Sequence, residues 1–258
     1  RSYSVTGVQT CALPISVINP RHQGYNVMQF STSIPEPALL EKWGWKLQDK
    51  EGRDMDVIEE RNKPKANILD WKFGGIRSNQ EMLSDGLYSA RVFVHYQNGD
   101  VLESNAVPFR LDKTGPQVKL DFNPRIFSPD GDGEADLLNI NLDAQDPSGI
   151  SAWHLVIEDR FKEEFKGYKG GNLIPKTIQW DGNSNGGQLT DSAEDYYMYA
   201  VVSDGVGNVT RTQRLPFTID ILVMKTDRGY KIRISNIQFE LNKAVLQQIG
   251  RASCRERV

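Results

Sequence analysis

Apolar and polar positions alternate along this 258-residue chain in short runs, and no long segment carries the three-and-four spacing of an amphipathic helix. The clearest runs are YSARVFVHY (88–96), VKLDF (118–122), LNINLDA (138–144), WHLVIED (153–159), YYMYAVVSD (196–204), LPFTIDILV (215–223) and YKIRIS (230–235). Clusters of Gly, Pro, Asn and Asp separate them. A side-chain period of two gives each strand one face for a core and one for water. Strands of this length with turn residues between them predict an all-β chain built of sandwiches.

The densest turn is FSPDGDGEAD (127–136), which holds Pro129, Gly131, Gly133, Asp130, Asp132 and Asp136 and gives way to the alternating LLNINLDA. Proline fixes φ, glycine reaches φ > 0 and aspartate caps its own backbone, so the segment reads as a sharp turn that opens a β-domain.

A repeat organises the rest. Trp43 is followed six residues later by Asp49, and Trp153 six later by Asp159. Trp71 lies 28 residues after Trp43, and Trp180 lies 27 after Trp153. Tyr88 precedes Gly99 by 11 residues, as Tyr196 precedes Gly207, and nine residues on come the Pro-Phe pairs of VPFRLD and LPFTID. The offset between copies falls from 110 to 108, the signature of one whole domain used twice. Each copy surrounds a Trp with a strand pair and leads a second Trp into a glycine turn (WKFGG, WDGNSNGG). It then runs through DG-x-Y or ED-Y-Y into a Tyr-led strand, and a buried Trp between sheets and a tyrosine corner both belong to sandwiches of immunoglobulin type.

The fold class is therefore all-β: two tandem Ig-like β-sandwiches at 17–114 and 115–221, then a β-hairpin and a truncated start of a third domain. The first copy lacks the FSPDGDG turn, and its opening from about Val17 to Pro37 reads as divergent or cut short. After Asp220, ILVMKTDRGYKIRIS reads as strand, turn and strand, a hairpin linker at 222–236.

WDGNSNGGQL, the Tyr-rich strand and DGVGN together resemble the FlgD-like immunoglobulin-type domain of the flagellar hook-capping protein and of many secreted bacterial proteins. FSPDGDGEAD looks like the FSPNGDG-x-x-D opening of such envelope modules. The resemblance covers 115–221 well and 26–114 less so, since WKFGG stands where the family shows WDG. IQFELNKAVLQQ (237–248) resembles the first strand and helix start of the OmpA-like peptidoglycan-binding domain. The order is similar to that of spirochaete envelope proteins. It implies a non-enzymatic spacer of a bacterial envelope protein, in the periplasm, associated with the outer membrane or at the cell surface. Its partners would be peptidoglycan, through the downstream domain, or other envelope proteins. An adhesin or carbohydrate-binding module, and an accessory region of a secreted hydrolase, are the alternatives.

The termini read differently. VTGVQTCALPI (5–15) and IGRASCRERV (249–258) look like translated sequencing-adapter DNA, so 1–16 and 249–258 are set apart from fold reasoning and the frame is expected to be a fragment. Both cysteines, Cys11 and Cys254, fall there, which removes any expectation of a disulfide. Setting aside Arg1, Arg251, Arg255, Arg257 and Glu256 moves the formal net charge from −3 to −6, which argues against nucleic acid as a partner. No run is long enough to span a bilayer as a helix.

Candidate chemistry is sparse. Asp130, Asp132 and Asp136 form a weak calcium candidate, since hard cations take six to eight oxygens. The spacing lacks the distal bidentate Glu of an EF-hand loop, and a capped turn is the competing reading. No other cofactor is expected. His22, His95 and His154 are scattered singly, Glu59–Glu60 and Glu163–Glu164 point to opposite strand faces, and no nucleophile elbow occurs. No catalytic residue is assigned. The aromatic set Trp43, Trp45, Trp71, Trp153, Trp180, Tyr196, Tyr197 and Tyr199 is expected to pack cores, with Trp43 and Trp45 on one face and Tyr197 opposite to Tyr196.

Overall fold

The computed structural model describes residues 16–220 apart from 63, 65, 66 and 193, together with the backbone of four short strands beyond them. Strands form where β-branched and aromatic residues alternate with polar ones. In the first part of the chain these are β1 (Ser16–Ile18), β2 (Met28–Ser33), β3 (Leu40–Asp49), β4 (Asp54–Glu60), β5 (Ile68–Phe73), β6 (Gly86–Tyr96), β7 (Val101–Glu103) and β8 (Val107–Leu111). The second part has β9 (Gln117–Asn123), β10 (Ile126–Phe127), β11 (Leu138–Gln145), β12 (Ile150–Glu158), β13 (Glu164–Gly170), β14 (Ile178–Trp180), β15 (Asp195–Asp204), β16 (Val209–Arg211) and β17 (Leu215–Ile219). Apart from Gly205–Asn208, which groups with the first, the chain divides between Thr114 and Gly115 into two compact units.

Each unit is a sandwich of the same plan. The larger sheet runs β1-β8-β6-β3-β4 in the first unit and β10-β17-β15-β12-β13 in the second, with β7 on β6 and β16 on β15. The smaller sheet is β2-β5 in the first and β14-β11-β9 in the second. In each unit the chain passes several times between the two sheets, so an alternating strand can bury one row of side chains against the other layer.

The equivalence extends to single atoms. Trp43 pairs with Glu60 and Val94, and Trp153 with Gly170 and Val202. Both indoles donate to a carbonyl beyond the next strand, Trp43 Nε1 to Asn62 at 2.8 Å and Trp153 Nε1 to Leu173 at 2.9 Å. Tyr88 pairs with Phe109 as Tyr196 does with Phe217. The phenol of Tyr88 donates to the Ser84 carbonyl at 2.9 Å, and that of Tyr196 accepts from the Asp191 amide at 3.2 Å. Both are tyrosine corners that tie a strand start to backbone a few residues upstream.

From β1 onward the first copy follows the plan of the second, whose opening strand β9 has no counterpart among the described residues of the first. Ile18 pairs in parallel with Leu111, and Phe127 in parallel with Ile219. Gly75 and Gly182 adopt φ of 77° and 81°. A Cβ on Gly75 would lie 2.5 Å from the Pro20 ring, and one on Gly182 would lie 2.5 Å from the Pro129 ring. Asn19-Pro20 therefore stands in place of Ser128-Pro129. The equivalence is hard to see in the sequence because DGDGEAD after Pro129 is replaced by RHQGYNV after Pro20, leaving only the proline and one glycine (Gly24, Gly133) in common.

The cores follow the alternation. Trp180 is fully buried, with ring centroids of Phe127 at 5.2 Å, Phe217 at 5.9 Å and Tyr196 at 6.3 Å. In the first unit Trp71 is half-buried, stacked at 5.3 Å on Phe30 and 5.4 Å on Trp45. Such pairs add specific geometry to area burial.

Beyond Asp220, β18 (Leu222–Thr226) and β19 (Gly229–Arg233) form the expected antiparallel hairpin, Leu222 opposite Arg233. The last pair corrects an expectation: Leu246–Gln248, read as a helix start, is strand β21, paired with β20 (Ile237–Phe239). Of the two stretches read as adapter, 1–16 and 249–258, all but Ser16, which opens β1, lie outside the described residues.

Candidate functional site

The aspartate turn is built from its own side chains. Asp136 accepts the amides of Gly131 at 2.7 Å and Gly133 at 2.8 Å, one on each carboxylate oxygen. Asp130 accepts the Asp132 amide at 3.3 Å, and Asp132 the Glu134 amide at 2.7 Å. Ser128 N donates to the Ala135 carbonyl at 3.1 Å and closes the loop. One oxygen from each of Asp130, Asp132 and Asp136 lies within 4.8 Å of the others, so the structure does bring the three together. Each oxygen of Asp136 accepts one amide, which is the bonding a capped turn requires, and each keeps a second lone pair.

Hydrogen bonds to a charged acceptor contribute about 1.5–3 kcal/mol when desolvated and less in water. Asp136→Ala is therefore expected to lower the stability of the second unit by about 1–2 kcal/mol. The measurement is a urea melt with and without calcium. A capped turn predicts the same midpoint at both; a calcium-dependent rise that disappears in the variant puts an ion there.

The outward faces of the larger sheets carry the other polar grouping. Tyr197 and Tyr199 point away from the buried Tyr196 and Met198, as alternation requires. Arg214 lies 4.3 Å over the Tyr197 ring and Arg211 lies 3.9 Å over that of Tyr199. Glu158, 7% exposed, sits between them, 2.5 Å from Arg214 and 3.9 Å from Arg211. Burial pushes the Tyr199 phenol up, with Glu158 adding to it. The first unit answers with charges exchanged between strands: Glu103 on β7 pairs with Lys46 and with Arg91 at 3.2 Å, and Lys46 lies 5.6 Å over Phe93. The Lys46 hydrogen bond leads in holding the Glu103 carboxyl below its usual range. These rows were not anticipated, although tyrosines at alternate positions beside Arg211 and Arg214 are their signal.

The histidines stay apart from any such chemistry. His95 meets Phe93 edge-on at 5.7 Å. His154 Nε2 lies 3.3 Å from Glu164 Oε2, and burial draws its pKa below the ordinary value against the pull of Glu164. No described histidine joins a group of metal-ligating side chains. Tyr197 and Tyr199 each have a guanidinium on the ring, and Trp43, Trp45, Trp71, Trp153, Trp180 and Tyr196 belong to or pack against the two cores. The aromatic set is committed to packing.

No protein-family model matches the sequence, and no curated protein matches it. Among solved structures, the fibronectin(III)-like modules of CbhA from Clostridium thermocellum align at 13% identity and TM-score 0.32, over 82% of this chain and 93% of that one. The FN1–FN3 domains of chicken CNTN1 align at 7% identity and TM-score 0.32, over 80% and 65% of the two chains. A bacterial ice-binding adhesin structure aligns at 13% identity and TM-score 0.42, over 80% and 61%. The architecture rests on the strand pairing above and not on these likenesses. Among the described residues no helix is long and apolar enough to cross a membrane.

Proposed function

We propose that this chain is a non-enzymatic spacer of a bacterial envelope protein, holding a peptidoglycan-binding domain of OmpA type away from the rest of the molecule. The observation that carries the reading is the duplication itself. Two sandwiches of one plan pack their tryptophans in or against their own cores and pair outward charges within each unit. A second copy of a module whose side chains are spent on its own packing adds no site, which is what a spacer needs.

The FlgD-like resemblance of 115–221 supports an envelope setting, and the run 237–248 supports the OmpA-like continuation. The strand at Leu246–Gln248 stands against the helix that this continuation implies. A carbohydrate-binding module has less support, because Tyr197 and Tyr199 are both covered by arginines.

The test is to recover the genomic sequence past Gln248, express the extended chain and sediment it with purified peptidoglycan sacculi. The spacer reading expects an acid- and arginine-bearing OmpA-like domain downstream and co-sedimentation of the extended chain, with the present chain left in solution. A further sandwich downstream, or an extended chain that stays in solution, overturns it.

A further inference from the structure

Strand β11 runs eight residues, Leu138–Gln145, but its two edges are not equally used. On one edge β9 pairs with all of Asn139–Gln145. On the other, β14 pairs only with Leu138, Asn139 and Ile140. From Asn141 to Gln145 no described strand covers that edge. On the approach to β14, Pro175, which would stand opposite Asp143 if the ladder continued, has no N–H to give it.

The first unit shows the first two positions of the same edge closed. There Phe30 pairs with Trp71 as Leu138 pairs with Trp180, which aligns the two copies. From that point β5 continues along β2 to the Ser33–Ile68 pair, and the Ile34 amide donates to Asn67 at 2.8 Å. The equivalent positions in the second unit are Asn141 and Leu142. Only the Thr177 hydroxyl reaches across there, to Asn141 Oδ1 at 3.2 Å.

A groove of about 370 Å³ occupies the opening, with Asn141, Leu142, Asp143 and Ala144 on one side and Ile174 and Lys176 on the other. Leu142 and Ala144 point into the core, whereas Asn141 and Asp143 point to solvent. Side chains of both faces line the same groove, so it follows the edge of the strand and does not lie over one face. An occupant there meets main-chain donors and acceptors at every second residue, the requirement of an added strand.

The opposite edge of the same strand shows which side chains suit it. β9 sets Val118 opposite Ala144, Lys119 opposite Asp143 and Leu120 opposite Leu142. We propose that the open edge Asn141–Gln145 binds an extended, antiparallel peptide segment of apolar-basic-apolar pattern, added to the smaller sheet as a fourth strand. The main-chain ladder supplies affinity and the pairing to Asp143 supplies selection, as in other cases of strand addition. This inference is independent of the spacer reading.

The probe is a blocked synthetic peptide QVKLD, which copies Gln117–Asp121, titrated into the isotope-labelled full chain and followed by amide NMR. Saturable shifts confined to Asn141–Gln145 and the Ile174–Lys176 segment are expected, with slowed exchange of the edge amides. A peptide with glutamate in place of the lysine should bind about fivefold more weakly. Pro175→Val restores the missing donor, lets β14 extend, and should abolish the shifts while the rest of the spectrum is retained. Absence of shifts at millimolar QVKLD, shifts spread over the chain, equal binding of the glutamate peptide, or undiminished binding in a folded Pro175→Val chain overturns the proposal.

Discussion

Trp180→Ala is expected to destabilise the second sandwich by about 3–5 kcal/mol. The indole is fully buried, and its Nε1 donates to the Asn183 carbonyl at 2.8 Å. Truncation leaves a cavity among Phe127, Phe217 and Tyr196, three side chains fixed by other strands and unable to collapse into it. It also leaves the carbonyl of the glycine turn without its donor. Urea unfolding followed residue by residue in amide spectra should show the 115–220 signals lost at a much lower midpoint. Trp71→Ala should cost clearly less in its own unit, because that ring is only half-buried. Equal costs at the two positions would mean that Trp180 is not the centre of its core.

Gly44→Ala should cost about 3 kcal/mol, large for the addition of one methyl group. Gly44 lies in the middle of β3 between Glu59 and Phe93. A Cβ there would sit 2.0 Å from the Ile58 carbonyl oxygen and 2.7 Å from the Phe93 ring. The carbonyl belongs to the β3–β4 ladder and cannot withdraw without opening it. Gly52→Ala is the control: it meets nothing within 4 Å and carries only the cost of its φ of 81°, about 1 kcal/mol. A urea midpoint no lower for the β3 variant than for the turn variant would contradict the packing described. The second unit solves the same volume problem in reverse, with His154 opposite Val201 where the first has Gly44 opposite Phe93.

Much of this architecture is legible in the sequence, and the reason is local. Strands such as β6, β12 and β15 alternate strongly because one face is core, and the tryptophan and tyrosine spacings carry the duplication. The capped turn is legible because Asp136 bonds within its own ten residues. Strands β4 and β13, DMDVIEE and EFKGYKG, lie at sheet edges with water beside them, so their apolar pattern is weak and only their pairing to β3 and β12 defines them. The covered tyrosines and the open edge of β11 depend on contacts between strands far apart in sequence. The point at which β14 stops is a tertiary fact, even though Pro175 is in plain view.

Long-range nuclear Overhauser contacts across the two larger sheets would decide whether one sandwich plan is used twice. The structure predicts two matching sets, Trp43 to Val94 with Tyr88 to Phe109, and Trp153 to Val202 with Tyr196 to Phe217. A spectrum that placed Trp43 against any strand other than β4 and β6 while Trp153 kept its contacts would break the equivalence and, with it, the spacer reading.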